Sequence, residues 1–230
     1  MAVAIVAVSK ERRYPRSLPR SFDAYTEAVY TPEQEFVFHA APPEWMEYAE
    51  ELKSAADALF DLDRDVMVLR RDELRGVRTH STFSRPSLLL AALATENALK
   101  SIAVARHPEL VRDGRIGKPI ETHNLVNLAN DVIPLPLSED ESALCALLTE
   151  LIPYWGRYPV PLRAARISKE IPSSAELKAR IDAFFSRLRK VFDDAVKAGW
   201  NGPHDMTMGP TETITPTELM ERLRSDVTDE

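Results

Sequence analysis

The stretch "SLLLAALATENALKSIAVARH", residues 87–107, carries the best-defined helical pattern of the chain. Ser84 precedes it as a predicted N-cap, and Pro86 falls in its first turn. Apolar residues recur at helical spacing: Leu89, Ala92, Leu93, Leu99, Ile102 and Ala103. Glu96 lies on or beside this stripe, and Lys100 follows four residues later, so the two side chains can pair. The pair is either part of a site or an ordinary surface ion pair.

Helical patterns also occur elsewhere in the chain, at residues 43–62, 123–132, 139–152 and 174–198. The last two begin with predicted capping boxes, Ser138 with Glu141 and Ser173 with Glu176. Gly199 is the predicted end of the last helix. These patterns predict a mainly α fold, an antiparallel bundle of four or five helices with an irregular, partly extended N-terminal segment.

The remaining segments fit shorter elements. We predict a short strand at residues 2–8, extended structure at 35–40, and a short helix or strand at 66–74. The predicted domains are an N-terminal extension, 1–84, with one amphipathic helix at 43–62; a helical bundle, 85–199; and a polar C-terminal tail, 200–230, with a candidate short helix.

Composition and charge restrict the function classes. The chain has 230 residues and a formal net charge of -7, which repels nucleic acid on average. Residues 10–20, 64–85 and 157–169 are nevertheless basic, and they form either a local anion-binding surface or solvated loops. Cys145 is the single cysteine, so we expect a buried structural thiol and no disulfide or cysteine metal site within one chain.

No Gly-rich phosphate loop and no histidine pair with metal-ligand spacing occurs, so we expect neither a cofactor nor a metal. The apolar opening, residues 1–10, has no preceding basic region and makes a poor signal peptide. We expect no stretch to be long enough to span a bilayer, and therefore a cytoplasmic protein without membrane contact.

A single site can be assembled from five candidate side chains: Glu96, Lys100, His123, Arg157 and Tyr158. A helical bundle brings the end of one helix beside the start of its neighbour. Arginine binds phosphate with a rigid fork of donors, and histidine exchanges a proton near neutral pH. The set therefore suits binding of, or acid–base attack on, a phosphodiester.

Each candidate also has a structural interpretation. Thr122 can cap a helix whose first turn is covered by His123. Arg157 and Tyr158 can lock their loop by bonding backbone carbonyls. Trp155 fits a core or a dimer interface better than a platform for stacking bases.

Three segments in order resemble the HEPN domain, a small helical bundle named for its occurrence in higher eukaryotes and prokaryotes. They are "LLAALATENALKSIAVARHPELVRDG", "THNLVNLANDV" and "LTELIPYWGRYPVPL", which cover about residues 85–162. The shared features are an acidic residue followed by Ala-Leu-Lys, a helix that opens on His-Asn-Leu, and Arg-Tyr-Pro. The resemblance implies an antiparallel HEPN-like bundle, with residues 173–198 as a fourth helix, that forms a homodimer.

One branch of that family consists of metal-independent ribonucleases of toxin–antitoxin, abortive-infection and CRISPR-linked defence systems. That branch carries an arginine followed four to six residues later by a histidine. No histidine follows Arg157 at that distance. Arg75 and His80 have the spacing but lie ahead of the first bundle helix, so we interpret the match as chance.

The resemblance thus implies a non-catalytic protein that binds a nucleotide, RNA or a protein partner, in a bacterial defence or toxin–antitoxin context. His123, Arg157 and Tyr158 would contact the ligand, with Lys100 as a helper beside Glu96. The alternative is a metal-independent ribonuclease that acts through Arg75 and His80 or through His123 and Arg157. A purely structural helical adaptor is the third interpretation.

Overall fold

The computed structural model describes residues 30–63, 67–72, 76–81, 83–155 and 174–210, over which the protein is mainly helical. The helices are α1 (Pro32–His39), α2 (Pro42–Asp63), α3 (Ser84–Arg106), α4 (Leu125–Asn127, extended by a π-helical turn, Leu128–Val132), α5 (Glu139–Glu150, extended by a π-helical turn, Leu151–Trp155) and α6 (Ala175–Val196). Two antiparallel hairpins pair β1 (Met67–Asp72) with β2 (Gly76–Ser81) and β3 (Trp200–Asn201) with β4 (Thr207–Met208).

Helix α3 is the central element of the fold. It contacts α2, α4, α5 and α6, and every residue from Ala94 to Val104 is buried. A helix that is buried on all sides has to be apolar nearly all round, and small alanines let its neighbours approach closely. The predicted stripe is therefore only part of the buried surface, because Leu89 and Leu93 are less buried than the stretch that follows them.

Helix α3 also has the length and apolar composition of a membrane span, the one such helix in the part of the chain that the structure describes. This corrects the expectation that no stretch is long enough. Within the protein, 72% of its apolar window is buried, as in the core helix of a folded domain.

Helix α2 packs along α3 and shares its hydrophobic core. Met46 and Ala56 are fully buried in that core, and Ser101 Oγ donates a hydrogen bond to the Pro42 carbonyl at 2.9 Å. The predicted helix at 43–62 is confirmed almost to the residue. It lies within the predicted N-terminal extension, yet it supplies a large part of the packing around α3.

Two predicted elements need correction, a third is confirmed, and a fourth lies outside the described residues. Residues 35–40, predicted to be extended, belong mainly to α1, where Thr31 and Gln34 form a capping box ahead of a helix that starts at Pro32. The first 11 residues of the predicted polar tail include the β3–β4 hairpin, and buried Trp200 donates from Nε1 to the Val104 carbonyl at 3.1 Å. The strand interpretation of 66–74 is confirmed by β1, whereas the strand predicted at 2–8 lies outside the described residues.

The helix caps agree with the sequence at α5 and differ at two other helices. Ser138 and Glu141 form the predicted capping box. Ser84 is the first residue of α3 and not its cap, because Phe83 occupies the N-cap without a side-chain bond. Ser174, one residue later than predicted, caps α6 by accepting from the Leu177 amide.

Gly199 follows α6, as predicted, with φ +91°. A Cβ at this position would lie 2.6 Å from the Met208 carbonyl oxygen, so a side chain has no room there. The glycine therefore lets the chain turn from α6 directly into the closing hairpin.

Candidate functional site

The site is built where the chain enters α4. The Asn124 side chain caps this helix by accepting from the Asn127 amide at 3.1 Å, and the Thr122 hydroxyl accepts from the Asn124 amide at 3.0 Å. The helix begins at Leu125, so His123 lies just before it. The expectations that Thr122 is the cap and that His123 is in the first turn are therefore wrong by two residues.

A second hydrogen-bonded link fixes this entry against α5. The Leu125 amide donates to the Thr149 hydroxyl at 3.0 Å, and that hydroxyl donates to the Cys145 carbonyl at 2.8 Å. The Leu125 side chain is fully buried. Because the backbone amide and the side chain of Leu125 are both held in place, His123, two residues earlier, projects to the surface from a fixed stretch of backbone.

His123, Glu96 and Lys100 meet through their side chains. Glu96 Oε2 lies 2.9 Å from His123 Nδ1, and Glu96 Oε1 accepts from Lys100 Nζ at 2.7 Å. The side chains of Glu96 and Lys100 are only 6% and 10% exposed, whereas that of His123 is 53% exposed. The surface interpretation of the Glu96–Lys100 pair is therefore wrong, because both charges are inside the protein.

Trp45 of α2 completes the surroundings of Lys100. Lys100 Nζ lies 5.9 Å from the centre of the Trp45 ring, within the range of a cation–π contact. Trp45 Nε1 in turn donates to the Ala40 carbonyl at 3.1 Å, which fixes the ring. We call these four residues, Glu96, Lys100, His123 and Trp45, the Glu96 site. Trp45 belongs to the amphipathic helix predicted at 43–62, but the pattern of that helix does not indicate that it meets α3 at Lys100.

This arrangement determines which atom of His123 faces outward. The carboxylate of Glu96 accepts from Lys100, and a carboxylate only accepts, so Nδ1 of His123 donates to it. Nε2 is then the nitrogen left for another molecule, and it has no partner among the described residues. Nε2 accepts a hydrogen bond when the ring is neutral and donates one when the ring is protonated.

The other predicted site residues are not brought into this cluster by the described structure. Arg157 and Tyr158 lie outside the described residues, two and three positions after the end of α5 at Trp155. Arg75 also lies outside them, and His80 is in β2, where its backbone pairs with Val68. Roles for these four residues remain predictions.

Cys145 behaves as the sequence predicted. It is buried, and burial, together with the nearby charge of Glu141, raises the pKa of its thiol to about 12. A thiol that stays protonated is a poor nucleophile. Across the described ranges, no three His, Cys, Asp or Glu side chains are grouped so that they could hold a metal ion.

Comparison of the chain with protein-family models, with curated proteins and with solved structures gives no match. The function is therefore argued from the Glu96 site itself and from the motifs in the sequence.

Proposed function

We propose that the protein is an HEPN-like helical protein that binds a nucleotide or RNA at His123 without cleaving it. We further propose that it is cytoplasmic, and that it acts as a homodimer in a bacterial defence or toxin–antitoxin context, as the resemblance implies. A protein partner is the other occupant that the resemblance allows. The observation that carries the proposal is the bond from buried Glu96 to half-exposed His123.

The burial of the Glu96–Lys100 ion pair supports the proposal because burying charge is costly. Glu96 and Lys100 are the only ionisable side chains between Ala94 and Val104, where every residue is buried. A buried ion pair rarely adds stability compared with apolar side chains of similar size. The pair is thus a poor way to strengthen the core, and holding an exposed imidazole gives it a purpose.

The preorganised ring of His123 also supports the proposal. An exposed histidine loses side-chain entropy when it binds a ligand, but the bond from Nδ1 to Glu96 has already restricted the ring. When the ring is protonated, Nε2 donates a charge-assisted hydrogen bond of the kind that phosphate oxygens accept. Arg157 and Tyr158 follow closely after α5 in the sequence and are the proposed additional ligand contacts.

The same bond favours one second candidate, a metal-independent ribonuclease. When a histidine serves as a general base, a carboxylate commonly binds Nδ1 and so directs Nε2 at the substrate. Nε2 of His123 would then take the proton of the RNA 2′-hydroxyl as that oxygen bonds to the phosphorus. The bond from phosphorus to the 5′-oxygen would break, the protonated ring would return its proton to the departing 5′-oxygen, and Arg157 would stabilise the charge on the phosphate.

One experiment separates these candidates. Fluorescently labelled single-stranded RNA is incubated with the protein in EDTA, and binding and cleavage are both recorded for wild type and His123→Gln. His204→Gln is the matched control, because His204 is also an exposed histidine but lies between β3 and β4, outside the Glu96 site and the loop between α3 and α4. Arg157→Ala and His80→Ala variants test the remaining candidates.

Binding that weakens in His123→Gln without any cleavage supports the proposal. Cleavage that is lost in His123→Gln supports the ribonuclease. If the RNA neither binds nor is cleaved, and AMP added in its place does not bind, both candidates are wrong, and a protein partner or a structural adaptor is left.

A further inference from the structure

The loop between α3 and α4 forms an open cavity of about 280 Å³, which precedes His123 in the sequence. Its two ends are anchored, since Val111 and Ile120 are fully buried and the Gly117 amide donates to the Leu110 carbonyl at 2.7 Å. We call this space, lined by residues from Glu109 to Glu121, the loop cavity. Its volume lies just below the range of about 300–1,000 Å³ that is typical of small-molecule pockets.

Three cationic side chains line the loop cavity, Arg112, Arg115 and Lys118. All three are exposed, and none forms a side-chain hydrogen bond or ion pair with any described residue. Cations on α6 differ, because Lys178 and Arg187 each bind a carboxylate within 3 Å. The three cations thus remain available for an anion from outside, although three carboxylates, Glu109, Asp113 and Glu121, line the same cavity.

We propose that the loop cavity binds a backbone phosphate of a single RNA strand that also contacts His123. This inference rests on the proposed function and names its ligand as an RNA strand that reaches both places. Lys118 and His123 are five residues apart, so their Cα atoms are separated by at most about 18 Å. One strand can therefore contact the loop cavity and the Glu96 site together.

The acidic residues of the loop cavity make it selective for a strand over a lone phosphate. Asp113 and Glu121 also line it and repel an anion, while Glu109 is engaged by His107 at 3.4 Å. Free phosphate gains too little from the three cations to bind tightly. A strand held at His123 is already nearby, so its phosphate enters at a high effective concentration.

The test compares two variants that lose the same charge. Arg112→Gln/Lys118→Gln removes two cations from the loop cavity, and Lys190→Gln/Lys197→Gln removes two exposed cations from the region of α6. The dissociation constant of a labelled twelve-nucleotide RNA is measured at several salt concentrations, with AMP as a short competitor. Circular dichroism confirms that both variants are folded.

We expect the loop variant, Arg112→Gln/Lys118→Gln, to weaken RNA binding. It should also reduce the slope of log affinity against log salt concentration by about 0.7 for each lost phosphate contact. The α6 variant should change neither quantity, and AMP binding should survive in both. Asp113→Asn/Glu121→Gln should tighten RNA binding.

If the loop and α6 variants bind RNA equally well while His123→Gln binds poorly, the loop cavity is not a subsite, although the proposed function stands. If wild type binds neither RNA nor AMP, the proposed function fails and this inference fails with it.

Discussion

Glu96 is the residue on which the site depends, because it accepts hydrogen bonds from both Lys100 and His123. Its spacing from Lys100 predicted their contact from the sequence. The spacing did not predict that both side chains are buried, since that depends on the neighbours that cover α3. The contact with His123 followed only loosely from helix order, because it requires the real path of the chain into α4.

Replacing Glu96 by leucine should destabilise the protein by about 3 kcal/mol, because Lys100 is left charged and buried without its acceptor. Urea unfolding measures this loss. Asp193→Ala is the control, since its pair with Arg189 is exposed and should contribute less than about 1 kcal/mol.

The double variant Glu96→Leu/Lys100→Met should recover much of the stability lost in Glu96→Leu, because it removes both buried charges. Equal stability of wild type and Glu96→Leu would show that the buried pair is not held as described.

A network of four charged side chains joins helices α2 and α6. Lys53 Nζ lies 2.7 Å from Asp57 and 2.6 Å from Asp182, and Lys178 also binds both aspartates within 3 Å. Burial alone would raise the pKa of Asp182, but Lys178 and Lys53 outweigh it and hold that pKa below its ordinary value.

A carboxylate whose pKa is lowered by folding stabilises the protein above its unfolded pKa and loses that contribution as the pH falls. For Asp182 the loss should occur below pH 3.8, the ordinary value. Urea midpoints measured between about pH 5 and about pH 2 should therefore fall more steeply for wild type than for Asp182→Asn. Identical pH profiles for the two proteins would contradict the network.

The helix caps show which structural details a few consecutive residues can predict. Ser138 and Glu141 were predicted from their spacing, because a capping box requires only four consecutive residues. At α6 two serines precede the helix, and the spacing Ser173–Glu176 favoured the wrong one. The choice of Ser174 depends on where the preceding chain enters α6, which a four-residue pattern does not contain.

Ser174→Ala should therefore destabilise the protein by about 1 kcal/mol, because the Leu177 amide loses its acceptor. Ser173→Ala should have a clearly smaller effect. Thermal unfolding of the two variants compares them directly, and a larger loss for Ser173→Ala would restore the original assignment.

Over the whole molecule, α2 and α3 form one packed pair at the centre of the described core. The mainly α fold class was predictable, because apolar periodicity and caps recur along most of the chain. The role of α2 was not predictable, because its sequence resembles that of any amphipathic helix. The predicted domain boundary at residue 84 was set by the limits of the family motifs, and it separated α2 from α3. Packing partners depend on which apolar faces meet in space.

A chain that starts at residue 85 should fail to fold cooperatively, because removal of α2 uncovers the side of α3 on which Met46 and Ala56 pack. Tryptophan fluorescence and urea unfolding of this truncated chain, with the full-length protein as control, measure the loss. A cooperative transition in the truncated chain would show that residues 85–199 form an autonomous domain.

The most direct test of the account is the nitrogen NMR spectrum of the His123 ring, assigned with His123→Gln, before and after addition of single-stranded RNA. We expect that Nδ1 carries a proton directed at Glu96 and that RNA shifts the Nε2 resonance. We also expect that the loss of Glu96 in Glu96→Leu weakens this response. A proton on Nε2 alone, or an Nε2 resonance unmoved at saturating RNA, would contradict the claim that Glu96 presents His123 to a ligand.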